Sequence, residues 1–454
     1  LLASRIARLA DTGELPAGLR LPPERDLAAA LAVSRNTVAA AYQLLRDEGM
    51  AESRQGAGTR IVPHRTTPAA VHRANGFFSG LLENSVVDAD LSLAAVDCAP
   101  QVAAALADPG TVLGSTGPGS TGLGGSDAVT ATSGYFPLGL PALRAGLAEQ
   151  LRRHRGLLCG PDQILITSGV ASGLRLVATA LLRPGDAVAV EEPGYEKARA
   201  IFTACGARVV PCRADEDGLV ISALPAGARL VYTTPAHQYP LGGRLPVPRR
   251  QALIETARSA GALILEDDYD SEFRYDVAPL PALAGLAPDL VIHLGTTAKT
   301  LTPALGVGWL AARRDLVTAL ATAAVAASER TCEPAQHALA ALLASGDLDR
   351  HVRRMSREYA RRRAAIVAAL GGLPAPARLL GGTAGLHVVL ELPPGSAAPV
   401  AAAAAARGIR VDTLDHYFAG PPAVEGLVLG YGGVTLRQAE TACRALCEVV
   451  TSII

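Results

Sequence analysis

Apolar positions recur at helical spacing in three bursts at the amino-terminal end of the chain. Leu2, Ile6, Leu9 and Ala10 make the first, a spacing that predicts an amphipathic helix, and Gly13 and the segment from Pro16 to Pro23 interrupt it. Pro23-Glu24-Arg25-Asp26-Leu27 opens a second helix with proline and acids in its first turn. Ala32-Val33-Ser34 then supplies a tight turn ending in a serine cap, and a third helix runs from Arg35 through Tyr42, Leu44 and Leu45 until Gly49 stops it. This is helix-turn-helix spacing. Beyond it, Met50 to Arg54 and Thr59 to Val62 flank Gln55-Gly56-Ala57-Gly58, the pattern of a two-stranded wing with a glycine-rich tip.

The periodicity fades from Pro63 to about Asp90, where Thr66-Thr67-Pro68 and Asn75-Gly76 mark irregular chain. The glycine-rich stretch Gly114 to Ser126 lacks the Lys-Ser/Thr ending of a P-loop and reads as a surface loop. From Ile164 onward, short apolar runs alternate with helical segments: Ile164 to Ile166, Leu174 to Leu182, Ala187 to Val190, Arg229 to Tyr232, Arg250 to Ala260, Leu263 to Leu265 and Leu290 to Leu294. Such alternation predicts an α/β domain around a largely parallel sheet, in which ligands collect at the carboxyl ends of the strands. The expected domains are a reader over 1–62, a linker over 63–90 and a large unit over 91–454 with a smaller subdomain from about 330.

Composition sharpens this picture in five places. A length of 454 residues calls for more than one core. The 42 basic and 42 acidic residues balance, so any DNA contact must come from a local patch. Over residues 1–65, nine arginines against seven acids leave only +2. Seven cysteines, none in a C-x-x-C pair, signal neither a disulfide framework nor a zinc finger and fit a reducing cytoplasm. No apolar stretch is long enough to span a bilayer, and the opening Leu1 in place of Met implies a start a few residues upstream. Finally, Lys197 and Lys299 are the only lysines, beside 40 arginines. A lysine that persists in such a chain points to amine chemistry that a guanidinium cannot perform.

Candidate chemistry lies in both units. Arg35, Asn36 and Thr37 begin the third helix, the end that enters a major groove, while Arg25 and Arg54 can meet phosphates beside it. In the large unit, Ser168-Gly169-Val170 follows one strand and opens a helix, offering N–H groups to a phosphate. Tyr195 follows a second strand, Asp267 and Tyr269 a third, and Thr296 and Lys299 a fourth. An anion site, an aromatic cover, a carboxylate with a phenol and a lysine form the set that pyridoxal phosphate requires for its phosphate, ring nitrogen and aldehyde. The nine histidines show no paired metal spacing, and no metal is expected.

The amino-terminal strings Leu21-Pro22-Pro23-Glu24-Arg25-Asp26-Leu27-Ala28, Val33-Ser34-Arg35-Asn36-Thr37-Val38 and Arg54-Gln55-Gly56-Ala57-Gly58-Thr59 closely resemble the GntR-type winged helix-turn-helix family. That resemblance implies Arg25, Arg35, Thr37 and Arg54 as DNA contacts. Residues from about 130 to 313 resemble a fold type I aminotransferase domain, in the version fused to such a reader in MocR-type regulators. The strings that carry this are Tyr135-Phe136-Pro137-Leu138-Gly139, Thr234-Pro235-Ala236-His237-Gln238-Tyr239-Pro240, Glu266-Asp267-Asp268-Tyr269-Asp270-Ser271-Glu272-Phe273-Arg274 and Lys299-Thr300-Leu301-Thr302-Pro303. The implied fold is a winged helix-turn-helix followed by a pyridoxal-phosphate-dependent aminotransferase-like large domain and a smaller carboxyl-terminal α+β domain.

By the same resemblance, Lys299 would form the internal aldimine, Asp267 would pair with the pyridinium nitrogen and Tyr269 would hold the ring hydroxyl. Tyr195 would stack on the ring, and Ser168, Gly169, Val170 and Thr296 would bind the phosphate. Tyr135 would reach the neighbouring subunit's phosphate site, which implies a homodimer. The chain departs from the family where Ala298 and Gly306 replace a serine and an arginine that contact the phosphate. Two charge-assisted bonds are lost, and affinity for the cofactor is expected to fall about tenfold to a hundredfold. Gly426 to Tyr431 also lacks the arginine that commonly meets a substrate carboxylate. These losses favour a cytoplasmic regulator that binds operator DNA and senses pyridoxal phosphate, an amino acid or an amine. The alternatives are a working aminotransferase and a cofactor-free dimerisation scaffold.

Overall fold

The computed structural model describes residues 2–11, 15, 18–47, 51–54, 58–62, 87–91, 136–275, 281–381 and 384–454. The chain divides into two compact units, Leu1–Asn84 and Ser85–Ile454. In the first, helices Leu2–Asp11, Glu24–Ala30 and Arg35–Asp47 precede strands Ala51–Arg54 and Gly58–Ile61, which pair antiparallel with Ala51 opposite Ile61. Ile6, Val38, Tyr42, Leu45 and Ile61 share one buried core, so the apolar stripe read along the sequence is what packs the wing against the helices. The Ser34 hydroxyl accepts the Thr37 N–H at 3.1 Å and caps the third helix, as expected. Tyr42 donates to the Pro22 carbonyl at 2.8 Å, tying that helix to the entrance of the second. The tip residues 55–57 lie outside the described residues.

The second unit is built on an eight-stranded sheet. Its order is Ile164–Thr167, Gly308–Ala311, Val291–Thr296, Leu263–Asp268, Leu230–Thr233, Ala187–Glu192, Arg208–Asp215 and Gly218–Leu219. The four pairings from Val291–Thr296 across to Arg208–Asp215 are parallel. Gly308–Ala311 runs against both of its neighbours. Its glycine-interrupted run carries no clean alternation, and the sequence pattern did not reveal it. Successive residues of the central strands face opposite cores, as their period of two requires. Ile164, Ala189, Ile264 and Val291 face a core with helices Pro141–Arg155, Val247–Ala260 and Glu333–Ser345. Leu165, Val188, Leu265 and Ile292 face a second core with helices Val170–Leu181, Glu196–Ala204 and Arg314–Ala326.

A smaller antiparallel sheet, ordered Arg378–Leu380, His387–Leu392, Glu425–Gly430 and Asp412–Thr413, packs its own core against helices Asp347–Leu370 and Leu436–Ile453. Ala89–Asp90, at the end of the expected linker, pairs in parallel with Ile409–Arg410, and Arg410 reaches Asp90 at 2.7 Å. Leu91 beside it is fully buried. A strand of two residues leaves too short an alternation to stand out in sequence. The rest of that expected linker, and the glycine-rich stretch after it, lie outside the described residues. No helix among the described residues is long and apolar enough to cross a membrane.

Candidate functional site

The sheet places its polar residues at one edge. Cross-strand register sets Thr296 opposite Gly308, Gly308 opposite Thr167, Gly295 opposite Asp268 and Thr233 opposite Glu266, so the strand ends stop at a common level. Gly169 caps helix Val170–Leu181 at φ +106, where only glycine is comfortable, and a Cβ there would meet nothing within 4 Å. The helix amino terminus thus opens on clear space with its first N–H groups free of a side chain, a geometry suited to an anion. Ser168 is exposed and its hydroxyl donates to the Arg330 carbonyl at 3.3 Å. Thr296 is buried and its hydroxyl accepts the Ala298 N–H at 3.1 Å.

Lys299 lies one short turn beyond strand Val291–Thr296. Burial is the main influence on its amine and lowers it to about 8, although the Asp270 and Asp267 carboxylates pull the other way. Lys197, the only other lysine, adds a like charge that lowers it further. Asp267 has the complementary problem. One of its oxygens accepts the Tyr232 hydroxyl at 2.7 Å, and the other, Oδ1, is buried with no partner. Burial pushes its carboxyl up to about 7 against the pull of that hydrogen bond. A buried carboxylate with a vacant oxygen is costly unless a donor arrives. The Tyr269 hydroxyl donates to the His237 carbonyl at 2.9 Å, and Tyr195 is half-buried, edge-on to Tyr239 at 6.2 Å between ring centroids. Tyr135 lies outside the described residues.

Several side chains at this edge carried no role in the sequence reading. Glu191 is buried under the site and accepts Thr233 and Thr234 hydroxyls at 2.5 and 2.6 Å, holding the Thr234 to Gly243 loop in place. Arg155, reaching in from the end of helix Pro141–Arg155, holds Asp268 and Glu272 at 2.5 and 2.7 Å. Tyr417 donates to Asp412 at 2.7 Å and meets the Tyr239 hydroxyl at 3.0 Å, while Arg199 binds the Tyr417 and His416 carbonyls at 2.6 and 2.9 Å. His237, Asp270 and His387, all buried, bring one ligand-capable atom each within 4.8 Å of one another. His387 comes from a strand 150 residues away from His237, and only folding could join them. The one clue in sequence was that His237 and Asp270 stand inside two of the strings that carry the family resemblance.

In the first unit, Arg25, Arg35, Asn36 and Thr37 are all exposed. Arg35 is engaged with Glu24 at 3.3 Å and Thr37 shares its hydroxyl with Ser34 at 2.8 Å. Arg54 ends the first strand of the wing.

Comparison with known proteins gives the same two parts. Residues 2–61 match the bacterial regulatory proteins of the gntR family, and residues 125–417 match aminotransferase class I and II. The chain is 38% identical over 440 residues to the HTH-type pyridoxine biosynthesis transcriptional regulator PdxR of Corynebacterium glutamicum, covering 95% of this chain and 91% of that one. It is 32% identical to the probable rhizopine catabolism regulatory protein MocR of Rhizobium meliloti, over 95% of this chain and 90% of the relative. Among solved structures, the α-aminoadipate aminotransferase LysN of Thermus thermophilus, complexed with N-(5'-phosphopyridoxyl)-L-leucine, superposes with a TM-score of 0.72 at 26% identity, covering 84% of this chain and 95% of that one.

Proposed function

The chain belongs to the MocR- and PdxR-type transcriptional regulators, in which a gntR-family DNA reader precedes an aminotransferase class I and II domain, and from that premise we propose that its effector site binds pyridoxal phosphate through Lys299. The vacant Asp267 Oδ1 carries this reading. A protonated pyridine nitrogen is the donor that this buried oxygen lacks, and its positive charge would offset the effect of burial, which now lifts the carboxyl to about 7. When bound, pyridoxal phosphate supplies an aldehyde that captures amines and a ring that withdraws electrons. The residues around it prepare for that chemistry. Gly169, Val170 and Ser168 bind the phosphate at the helix amino terminus, with Thr296 beside them. Tyr195 covers one face of the ring and Tyr269 meets its hydroxyl. Lys299, held near 8, keeps a useful fraction of neutral, nucleophilic amine at physiological pH.

Ala298 and Gly306 favour a regulator over an enzyme with strongly held cofactor. Gly306 sits at φ +60 with nothing within 4 Å of a would-be Cβ, so among the described residues a side chain has room to start there. Weaker phosphate binding lets occupancy follow the free cofactor concentration, which is what a sensor needs. Arg35, Asn36 and Thr37 read bases in operator DNA while Arg25 and Arg54 grip phosphates, and two readers act together in a homodimer.

The visible absorbance of the full chain with added pyridoxal phosphate, before and after borohydride reduction, tests the cofactor assignment. Wild type should show a band that borohydride fixes covalently, and Lys299→Ala should show none. Cofactor trapped in the Lys299→Ala protein would overturn it.

A further inference from the structure

His237, Asp270 and His387 are each 2% exposed or less. His237 Nδ1 lies 2.9 Å from Asp270 Oδ2 and also 2.9 Å from the Tyr269 hydroxyl. A carboxylate only accepts, so Nδ1 carries the proton and donates it to Asp270. The Tyr269 hydroxyl therefore directs its own proton to the His237 carbonyl, also 2.9 Å away, and keeps its oxygen lone pairs for what lies in front of it. On the far side, the His387 ring stands 5.0 Å from the His237 ring, and its Nε2 donates to the Pro240 carbonyl at 2.8 Å. Gly385, two residues before His387, presses on the pair: a Cβ there would come within 2.0 Å of His237 Cε1 and 2.6 Å of Asp270 Oδ2. The Gly385 carbonyl is in turn held by the Tyr275 and Tyr431 hydroxyls, both at 2.7 Å. The chain of contact runs from the smaller sheet, through Gly385 and His387, to the phenol at the cofactor site.

We infer that His237 and Asp270 are positioning residues for Tyr269, and that His387 makes the placement of this phenol depend on the seating of the smaller sheet against the larger. The inference rests on the pyridoxal phosphate reading above, since Tyr269 is the ring-hydroxyl contact there. It adds a physical link between the cofactor site and the carboxyl-terminal subdomain. A metal is the rival use of two histidines and an aspartate. Ligands on a tetrahedral ion with bonds of about 2.0 Å stand about 3.3 Å apart, wider than the 2.9 Å hydrogen bond that already joins His237 to Asp270.

The test compares the full-length wild type with Asp270→Asn, His387→Gln and Tyr269→Phe by pyridoxal phosphate titration, visible spectrum and metal analysis. Asp270→Asn keeps the shape of the side chain and removes its charge, and His387→Gln provides a second, milder disturbance from the other sheet. Each should still bind cofactor that borohydride fixes, with the visible band displaced and affinity lower by about threefold to tenfold, the size of one hydrogen bond. Asp270→Asn combined with Tyr269→Phe should be no worse than Tyr269→Phe alone, because the two act through one contact. Bands and affinities equal to wild type in Asp270→Asn and His387→Gln would overturn the inference, as would additive losses in the double variant. One equivalent of tightly held zinc, lost in His387→Gln, would replace it with a metal site. A wild type without any band would instead remove the cofactor reading and this inference with it.

Discussion

Gly306 and Ala298 give the most direct experiment at the level of single residues. Both stand where the resembled family places phosphate contacts, and Gly306 has open space where a side chain would start. Gly306→Arg places a cation there at a cost of about 1–2 kcal/mol for its left-handed backbone. With Ala298→Ser, it should tighten pyridoxal phosphate by about tenfold, measured by absorbance titration. Lys299 yields a pH prediction. Its amine loses its proton at about 8, lowered chiefly by burial. Only the neutral amine attacks an aldehyde, so the rate of cofactor capture should rise with pH and level off above about 8, and stopped-flow absorbance would show it. A plateau near the ordinary lysine value would mean that burial does not act on this amine as the fold suggests.

Among elements, the reader's third helix depends on two small features. Ser34 caps it, and Leu45 and Tyr42 anchor it in the core that the described residues of the first unit share. Ser34→Ala should cost about 1 kcal/mol and Leu45→Ala about 2–5 kcal/mol in that unit, both visible as a lower melting transition by circular dichroism. Arg35→Ala belongs to a different class, because Arg35 is exposed and pairs only at the surface with Glu24. It should leave melting unchanged while abolishing the operator shift in a gel, and unchanged DNA affinity would refute the assignment of this helix as the reader.

For the whole molecule, effector and operator can communicate only through a change in how the protein is arranged, since in the proposed function the cofactor touches the second unit and DNA the first. Pyridoxal phosphate should change operator affinity by about fivefold or more in wild type. Lys299→Ala, which keeps the reader intact, should bind operator equally with and without it. Fluorescence anisotropy on labelled operator distinguishes the two, and an effector response that survives in Lys299→Ala would place sensing elsewhere.

Local patterning alone revealed the reader: three amphipathic bursts, a serine cap and a glycine-tipped wing are decided by neighbours three or four residues apart. It also revealed that Ser168, Tyr195, Tyr269 and Lys299 follow strands, and it ended two strands early, since Asp267 and Thr296 lie within the polar ends of Leu263–Asp268 and Val291–Thr296. All of them gather because a parallel sheet collects its strand ends on one side whatever the order of the strands. Strand order itself, the antiparallel insertion of Gly308–Ala311 and the pairing of Ala89–Asp90 with Ile409–Arg410 were settled only by folding. So were the vacancy at Asp267 Oδ1, the support of Glu191 and the meeting of His237 and Asp270 with His387. Burial and hydrogen-bond partnership are properties of three-dimensional neighbours far apart in the chain, and no periodicity along the sequence encodes which distant side chain will arrive to satisfy a buried polar atom.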